Sequence, residues 1–368
     1  MWFGSAICIT SPWRQILPRR SFLLNLWTEE ILSGVKCINK RRLCVFLPLL
    51  ASAFVLSGCT QRIEGTVSIS PYPVYEPLEK RTARTEISKV RGFSEDLCVL
   101  PDENTDTANT DVQTCRSASL FNLETLDTPF AYHVFERVYP ASTTKIMTLL
   151  VAAENGNPED KVVVSEAAAS QPSDSSICGL RPGDELTLKD LMYGMVLRSG
   201  NDAAVAIAEH VGGSVEGFAE LMNQKANSLG ATNSHFVNPH GLHDDEHYTT
   251  AYDMYLILNE ARKNELFMEI FSASSADITY HNAAGEEQTV TWSTTNRYKT
   301  GAETAPEGYT VLGGKTGTTY DAGYCLILLV ENPKGEEEVI SVFKSDAKIN
   351  LYLVMNQLMR YYGAPSES

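Results

Sequence analysis

Three short residue combinations in this chain have the types and spacing to do chemistry together. The first is Ser142 with Lys145, in the run Pro140-Ala141-Ser142-Thr143-Thr144-Lys145. A serine hydroxyl is a weak nucleophile until a base takes its proton. On a helix, side chains at i and i+3 share a face, so Lys145 Nζ can reach Ser142 Oγ. A lysine that is desolvated, or set beside another cation, can lose its own proton and act as that base. Pro140 puts Ser142 near the helix start, where the dipole favours a developing anion. The second combination is Ser199-Gly200-Asn201, the single Ser-x-Asn of the chain, lying between two apolar segments. A loop there can aim Ser199 to relay a proton and Asn201 to fix Lys145 or a substrate amide; it would serve equally well as a plain helix-to-helix turn. The third is Lys315-Thr316-Gly317. On a strand edge, Lys315 and Thr316 offer a cation and a hydroxyl to a carboxylate, and Gly317 keeps the approach clear. The alternative is an edge lysine that merely guards against aggregation.

The elements that must carry these residues select among copies. Ser-x-x-Lys occurs at Ser33, Ser142, Ser341 and Ser345. Ser341 and Lys344 fall in a strand-like run, where i and i+3 face opposite sides, and Ser345 with Lys348 straddles a turn. Only Ser142 opens a long apolar helix, over 141–151. A second Lys-Thr-Gly, at Lys299, lies in a polar loop-like stretch, whereas Lys315 sits between YTVLGG and the aliphatic AGYCLILLV. Thr187 is an expected cap for a helix over 187–199, followed by apolar helices over 203–211 and 215–230. Residues 120–135 read as two strand-like runs, 309–345 as three strands, and 347–362 as a last helix. The fold class is α+β, an antiparallel sheet flanked by helices, with no second long β-rich segment expected.

Composition narrows the function. The chain has 368 residues, 43% of them hydrophobic and 21% charged, with a net charge of −16. That balance excludes wholesale disorder, and the acidity gives no pull toward nucleic acid. Residues 1–58 hold seven basic side chains and two acidic ones, so the remainder is more acidic than the whole. Residues 43–56 form an apolar run of 14 behind Lys40-Arg41-Arg42, too short for a spanning helix but suited to a secretory signal. Leu56-Ser57-Gly58-Cys59 resembles a bacterial lipobox, which implies a lipidated Cys59 attached to the membrane. Residues 1–58 are thus a signal region, with the true start expected near Leu32 or Val35. Residues 59–109 read as a tether and exposed loop, and 110–365 as the catalytic domain. Of the cysteines after Cys59, Cys98 and Cys115 are the preferred disulfide pair, closing a polar loop; Cys178 is left unassigned and Cys325 is expected to be a buried thiol. No metal spacing links them. His240, His243 and His247 with Asp244 and Asp245 are read as structural or surface residues, and His210 as helix-terminal.

The three combinations occur in order on helix, loop and strand. With PASTTK, LRSGNDAA, FVNPHGL (236–242), TTAYDM (249–254), STTNR (293–297) and GGKTGTTYDAGYCL, the chain resembles the low-molecular-mass D-alanyl-D-alanine carboxypeptidases over roughly 110–363. The resemblance implies a β-lactamase/transpeptidase-like fold without the family's C-terminal β-rich domain. It implies Ser142 as nucleophile, Lys145 as base, Ser199 as proton relay and Asn201 as orienting group. Lys315 would tune the site and Thr316 bind a terminal carboxylate, with Arg297 aimed at the same group. Backbone N–H groups of Ser142 and Thr318 would form an oxyanion hole. The implied substrate is a peptidoglycan stem peptide ending in D-Ala-D-Ala, the implied inhibitors are β-lactams, and no cofactor is implied. The implied location is the cell envelope, on the outer face of the cytoplasmic membrane. A D,D-endopeptidase, a serine β-lactamase and a non-catalytic penicillin sensor remain the alternatives; no convincing loop glutamate supports the β-lactamase.

Overall fold

The aliphatic run over 323–330 is an interior strand of a sheet buried on both faces. The computed structural model describes residues 95–172 and 174–363; the signal region, Cys59 and most of the tether lie outside the described residues. In chain order the elements are β1 (Ser117–Asn122), β2 (Phe130–Tyr132), a 3₁₀ turn (Ala141–Thr144), α1 (Lys145–Asn155), β3 (Lys161–Val163), α2 (Glu166–Ala169), β4 (Glu185–Thr187), α3 (Leu188–Leu197), α4 (Asn201–Gly212), α5 (Val215–Ser228), α6 (Ala251–Ala261), α7 (Glu265–Phe271), β5 (Ser275–His281), β6 (Glu287–Ser293), α8 (Arg297–Thr300), β7 (Thr310–Thr319), β8 (Gly323–Glu331), β9 (Glu337–Ser345) and α9 (Lys348–Tyr361).

The main sheet has the order β2-β1-β9-β8-β7, all antiparallel. The period of two sends alternate residues to opposite faces. Leu326, Leu328 and Val330 join Ile340, Val342 and the α9 residues Leu351, Met355 and Leu358 in one core. Cys325, Ile327 and Leu329 join Phe343 and the helices α1, α3, α4, α6 and α7 in the other. Helix α1 runs through the middle of that second core, with every residue from Lys145 to Ala152 buried. A helix apolar all round has no solvent face to present, so this one is surrounded. Neighbouring helices begin at side-chain caps. Thr187 forms a capping box with Asp190 at α3, and Ser214, Thr250 and Asn264 cap α5, α6 and α7.

Three expectations are corrected here. A second sheet exists, in the order β3-β4-β5-β6. Its hairpin, β5 paired with β6, buries only Ile278 and Trp292 fully, so its sequence carries little hydrophobic signal. The folded body begins before residue 110: Val99 bridges Asp127, Cys98 N–H donates to Tyr255 Oη (2.8 Å), and Thr105 N–H donates to Ala131 O (2.9 Å). Finally, Cys98 and Cys115 are free thiols. Cys98 belongs to the helical-side core and Cys115 packs against the α9-side core, so the sheet stands between them. Cys98 Sγ donates to Asn122 O (3.2 Å) and Cys115 Sγ to Val112 O (3.2 Å). Cys178 is a free thiol and Cys325 a buried one.

Candidate active site

The 3₁₀ turn and the first residue of α1 put Ser142 and Lys145 on one side, with Lys145 Nζ 3.0 Å from Ser142 Oγ. Lys145 is fully buried. Its Nζ also lies 2.8 Å from Asn201 Oδ1 and 2.9 Å from His240 O. Both of those atoms are pure acceptors, and a neutral amine has two N–H bonds and one lone pair. In that neutral form the two N–H groups would satisfy Asn201 and His240 and the lone pair would be left to face the Ser142 hydroxyl. Electrostatics favour that form. Burial, and then the charge of Lys315, push the Lys145 ammonium well below its usual range.

The second motif joins two clusters. Helix α3 ends as Gly200 N–H returns to Gly194 O (3.3 Å), with Ser199 in the left-handed conformation (φ 58°). Holding a non-glycine residue there costs about 1–3 kcal/mol. Asn201 opens α4 and reaches Lys145, while Ser199 Oγ accepts from Lys315 Nζ (3.0 Å). The buried carboxylate of Asp202 accepts from the N–H groups of Cys178, Gly179 and Leu180, and Asn201 N–H donates to Ser176 O (2.8 Å). Those bonds pin the 176–180 loop beside the cleft.

Lys315, 2% exposed, stands on β7 and donates also to Thr316 O (2.9 Å). Burial lowers its ammonium to about 7. Thr316 Oγ1 meets Thr295 Oγ1 at 3.0 Å. Gly317 lets β7 close on the Ser142 turn. A Cβ there would stand 2.9 Å from both Pro140 O and Ser142 N. Gly241 has the same office on the other side. Its φ is +86°, and a Cβ would stand 1.8 Å from Ala141 O. Gly241→Ala is therefore expected to destabilise the fold by about 3 kcal/mol or more, through a backbone clash and a disfavoured dihedral, as read by urea unfolding. A change under about 1 kcal/mol would mean that the 238–242 loop is free to shift.

Ser142, Asn201 and Thr318 line a cleft of about 550 Å³ with Gly241, Leu242, Ser176 and Tyr320. Ser142 and Thr318 thus line one cleft, and the 199–201 loop links the Ser142–Lys145–Asn201 cluster to the Ser199–Lys315 pair. Arg297 does not join them, which corrects its expected role. It opens the one-turn α8, and Gly301 (φ 75°) turns the chain back on it. Its guanidinium donates to Ala302 O (3.0 Å), lies 3.9 Å from Glu303 and stacks over Tyr352. It lines a separate groove with Lys348 and Tyr352.

The remaining histidines have structural partners. His240 contributes its carbonyl to Lys145, and burial lowers its imidazole to about 3. His243 packs edge-on against Tyr139, and His210 in the last turn of α4 meets Asp160 (3.1 Å). Two participants escaped the sequence reading. The His240 carbonyl carries no side-chain signal at all. The Thr144–His247 contact (2.8 Å) joins residues 103 apart, although both stand within or beside quoted motifs.

The chain is similar to known proteins over most of this body. The family model for D-alanyl-D-alanine carboxypeptidases, peptidase family S11, matches residues 106–346. The D-alanyl-D-alanine carboxypeptidase DacF of Bacillus subtilis is 36% identical over 232 residues, covering 62% of this chain and 56% of that protein. DacC of Escherichia coli is 35% identical over 217 residues, covering 56% of this chain and 50% of its own length. The chain thus spans about half the length of these curated relatives. The crystal structure of the Streptomyces K15 DD-transpeptidase superposes with a TM-score of 0.63 at 28% identity, covering 68% of this chain and 97% of that one. Matched across more than half its length by that model, and carrying the same α+β fold as the K15 enzyme, the chain belongs to the D-alanyl-D-alanine carboxypeptidase family, S11.

Proposed function

We propose that the protein is a serine D-alanyl-D-alanine carboxypeptidase that removes the terminal D-Ala from peptidoglycan stem peptides. The observation that carries this reading is buried Lys145 Nζ held 3.0 Å from Ser142 Oγ by two fixed acceptors, Asn201 Oδ1 and His240 O. The Ser142 proton passes to Lys145 Nζ as Oγ attacks the carbonyl carbon between the two D-alanines. The oxyanion forms against the N–H groups of Ser142 and Thr318. Lys145, with Ser199 as relay, returns the proton to the leaving amine, the C–N bond breaks and D-Ala departs. Water then attacks the ester by the reverse proton path and frees Ser142. Lys315 and Thr316 hold the terminal carboxylate. A β-lactam acylates Ser142 in the same way and stays, because its leaving group remains tethered.

The test is incubation of the full chain with diacyl-Lys-D-Ala-D-Ala. Release of D-Ala that penicillin blocks is the expected result; penicillin labelling without any release would favour a sensor instead.

Lys315 gives the reaction a pH signature. Its charge is present below about 7 and fades as pH rises through that value. The carboxylate-binding form of the free enzyme is lost in that direction, so kcat/KM should decline above about pH 7. A bound carboxylate favours the ammonium, so the same limb in kcat should lie higher. Lys315→Arg, which stays charged, should shift the kcat/KM limb upward by more than one pH unit. An unmoved limb would assign it to another group.

For location, we propose the outer face of the cytoplasmic membrane, with lipidated Cys59 as the anchor. Among the described residues no helix is long and apolar enough to cross a membrane. Cell-envelope labelling with a fatty-acid analogue, lost in Cys59→Ala, tests the anchor.

A further inference from the structure

One buried hydrogen-bond chain, running from His247 through Thr144, ends at the residue before Ser142. His247 is 2% exposed and its Nδ1 accepts from Val237 N–H (3.1 Å). A backbone N–H can only donate, so in the neutral ring the proton sits on Nε2. Burial lowers the imidazole to about 4, so the ring is neutral at pH 7. Nε2 lies 2.8 Å from Thr144 Oγ1, which in turn lies 2.8 Å from Ala141 O. Thr144 has a single hydroxyl proton, so it accepts from Nε2–H and donates to Ala141 O. Ala141 is the residue before the nucleophile and is held left-handed at φ 47°. A strained turn persists only where its surroundings over-determine it. Gly241 packs against both the Ala141 carbonyl and Thr144 Oγ1.

We infer that His247 is a positioning residue for acyl transfer, acting through Thr144 to hold the Ala141 turn that sets the Ser142 N–H beside Gly317. This rests on the reading of Ser142 as nucleophile. The chain touches no substrate, so its loss moves the oxyanion donor and leaves the Lys315–Thr316 carboxylate site in place. The loss therefore falls on the bond-making step rather than on binding.

The experiment measures acylation of the full chain by a chromogenic β-lactam, resolved into initial binding and the acylation rate constant. Thr144→Val, which keeps shape and removes the hydroxyl, should lower the rate constant at least tenfold with binding within threefold. Thr144→Ser should restore the rate to within threefold. His247→Phe should match Thr144→Val, and the double variant should be no slower than the slower single, because both cut one chain. Equal rates in folded Thr144→Val and wild type, a loss confined to binding, or a Thr144→Ser variant as slow as the valine would each overturn the inference. Imidazole ¹⁵N spectra of the wild type at pH 7 decide the matter independently of how any variant folds. An Nε2–H tautomer at His247 is expected, and an Nδ1–H tautomer or an imidazolium overturns it. A wild type that β-lactams fail to acylate at Ser142 would instead remove the functional reading beneath it.

Discussion

Ser142→Ala should lower D-Ala release by about 10⁴-fold or more and abolish covalent β-lactam labelling. On the proposed mechanism Oγ is the atom that forms the acyl bond, and the other hydroxyls of the site are engaged elsewhere. Ser199 Oγ is engaged by Lys315 and Thr316 Oγ1 by Thr295. In the resting site Lys145 Nζ is hydrogen-bonded to Ser142 Oγ and to neither of these hydroxyls, so neither stands ready as a replacement nucleophile. The substitution removes a hydroxyl from a turn whose backbone is held by Thr143, Thr144 and Gly241, so thermal stability should be nearly unchanged. Mass spectrometry of the penicillin-treated proteins checks the adduct, and a D-Ala assay checks turnover. A Ser142→Ala variant that still forms an adduct would place the nucleophile elsewhere.

The second large effect is at Lys145, where two substitutions separate base from charge. Lys145→Ala removes the proposed proton acceptor and should slow acylation by about 10³-fold, the usual scale of general-base catalysis. Lys145→Arg keeps a cation on a long side chain, but a guanidinium does not deprotonate in proteins. It should be as inactive as the alanine variant. Arginine also puts a permanent charge where burial and Lys315 both disfavour one, so this variant should be the less stable of the two. Stopped-flow acylation by a chromogenic β-lactam reads the rate and urea unfolding reads the stability. An arginine variant that acylates at the wild-type rate would show that the site needs charge at this position and takes its base from another residue.

Both predictions rest on a pairing that was legible in the chain. Helical geometry alone puts i and i+3 together, and an apolar run after Ser142 identifies the helix. The same local logic located Thr187 as a cap and excluded Ser341 with Lys344, which indeed lie on β9. The β5–β6 hairpin was not legible, because it buries too little to leave a hydrophobic alternation. Arg297 was misjudged for a different reason. Its position in STTNR is near Thr316 in the fold, but a one-turn helix and Gly301 bring Ala302 and Glu303 back to occupy its guanidinium.

The amino-acid sequence by itself determined which residues are candidates to react: the proposed nucleophile, its proposed base and the strand proposed to receive a carboxylate, since each depends on short-range periodicity. Only the tertiary structure decided the state in which they meet. Burial strips water from Lys145 and Lys315 stands nearby, which pushes its ammonium well below the usual range, while Asn201 and the His240 carbonyl accept from Nζ and hold it 3.0 Å from Ser142 Oγ. Such contacts join residues 56 and 95 positions apart, one of them through a backbone atom identical in every residue, so no local pattern could announce them.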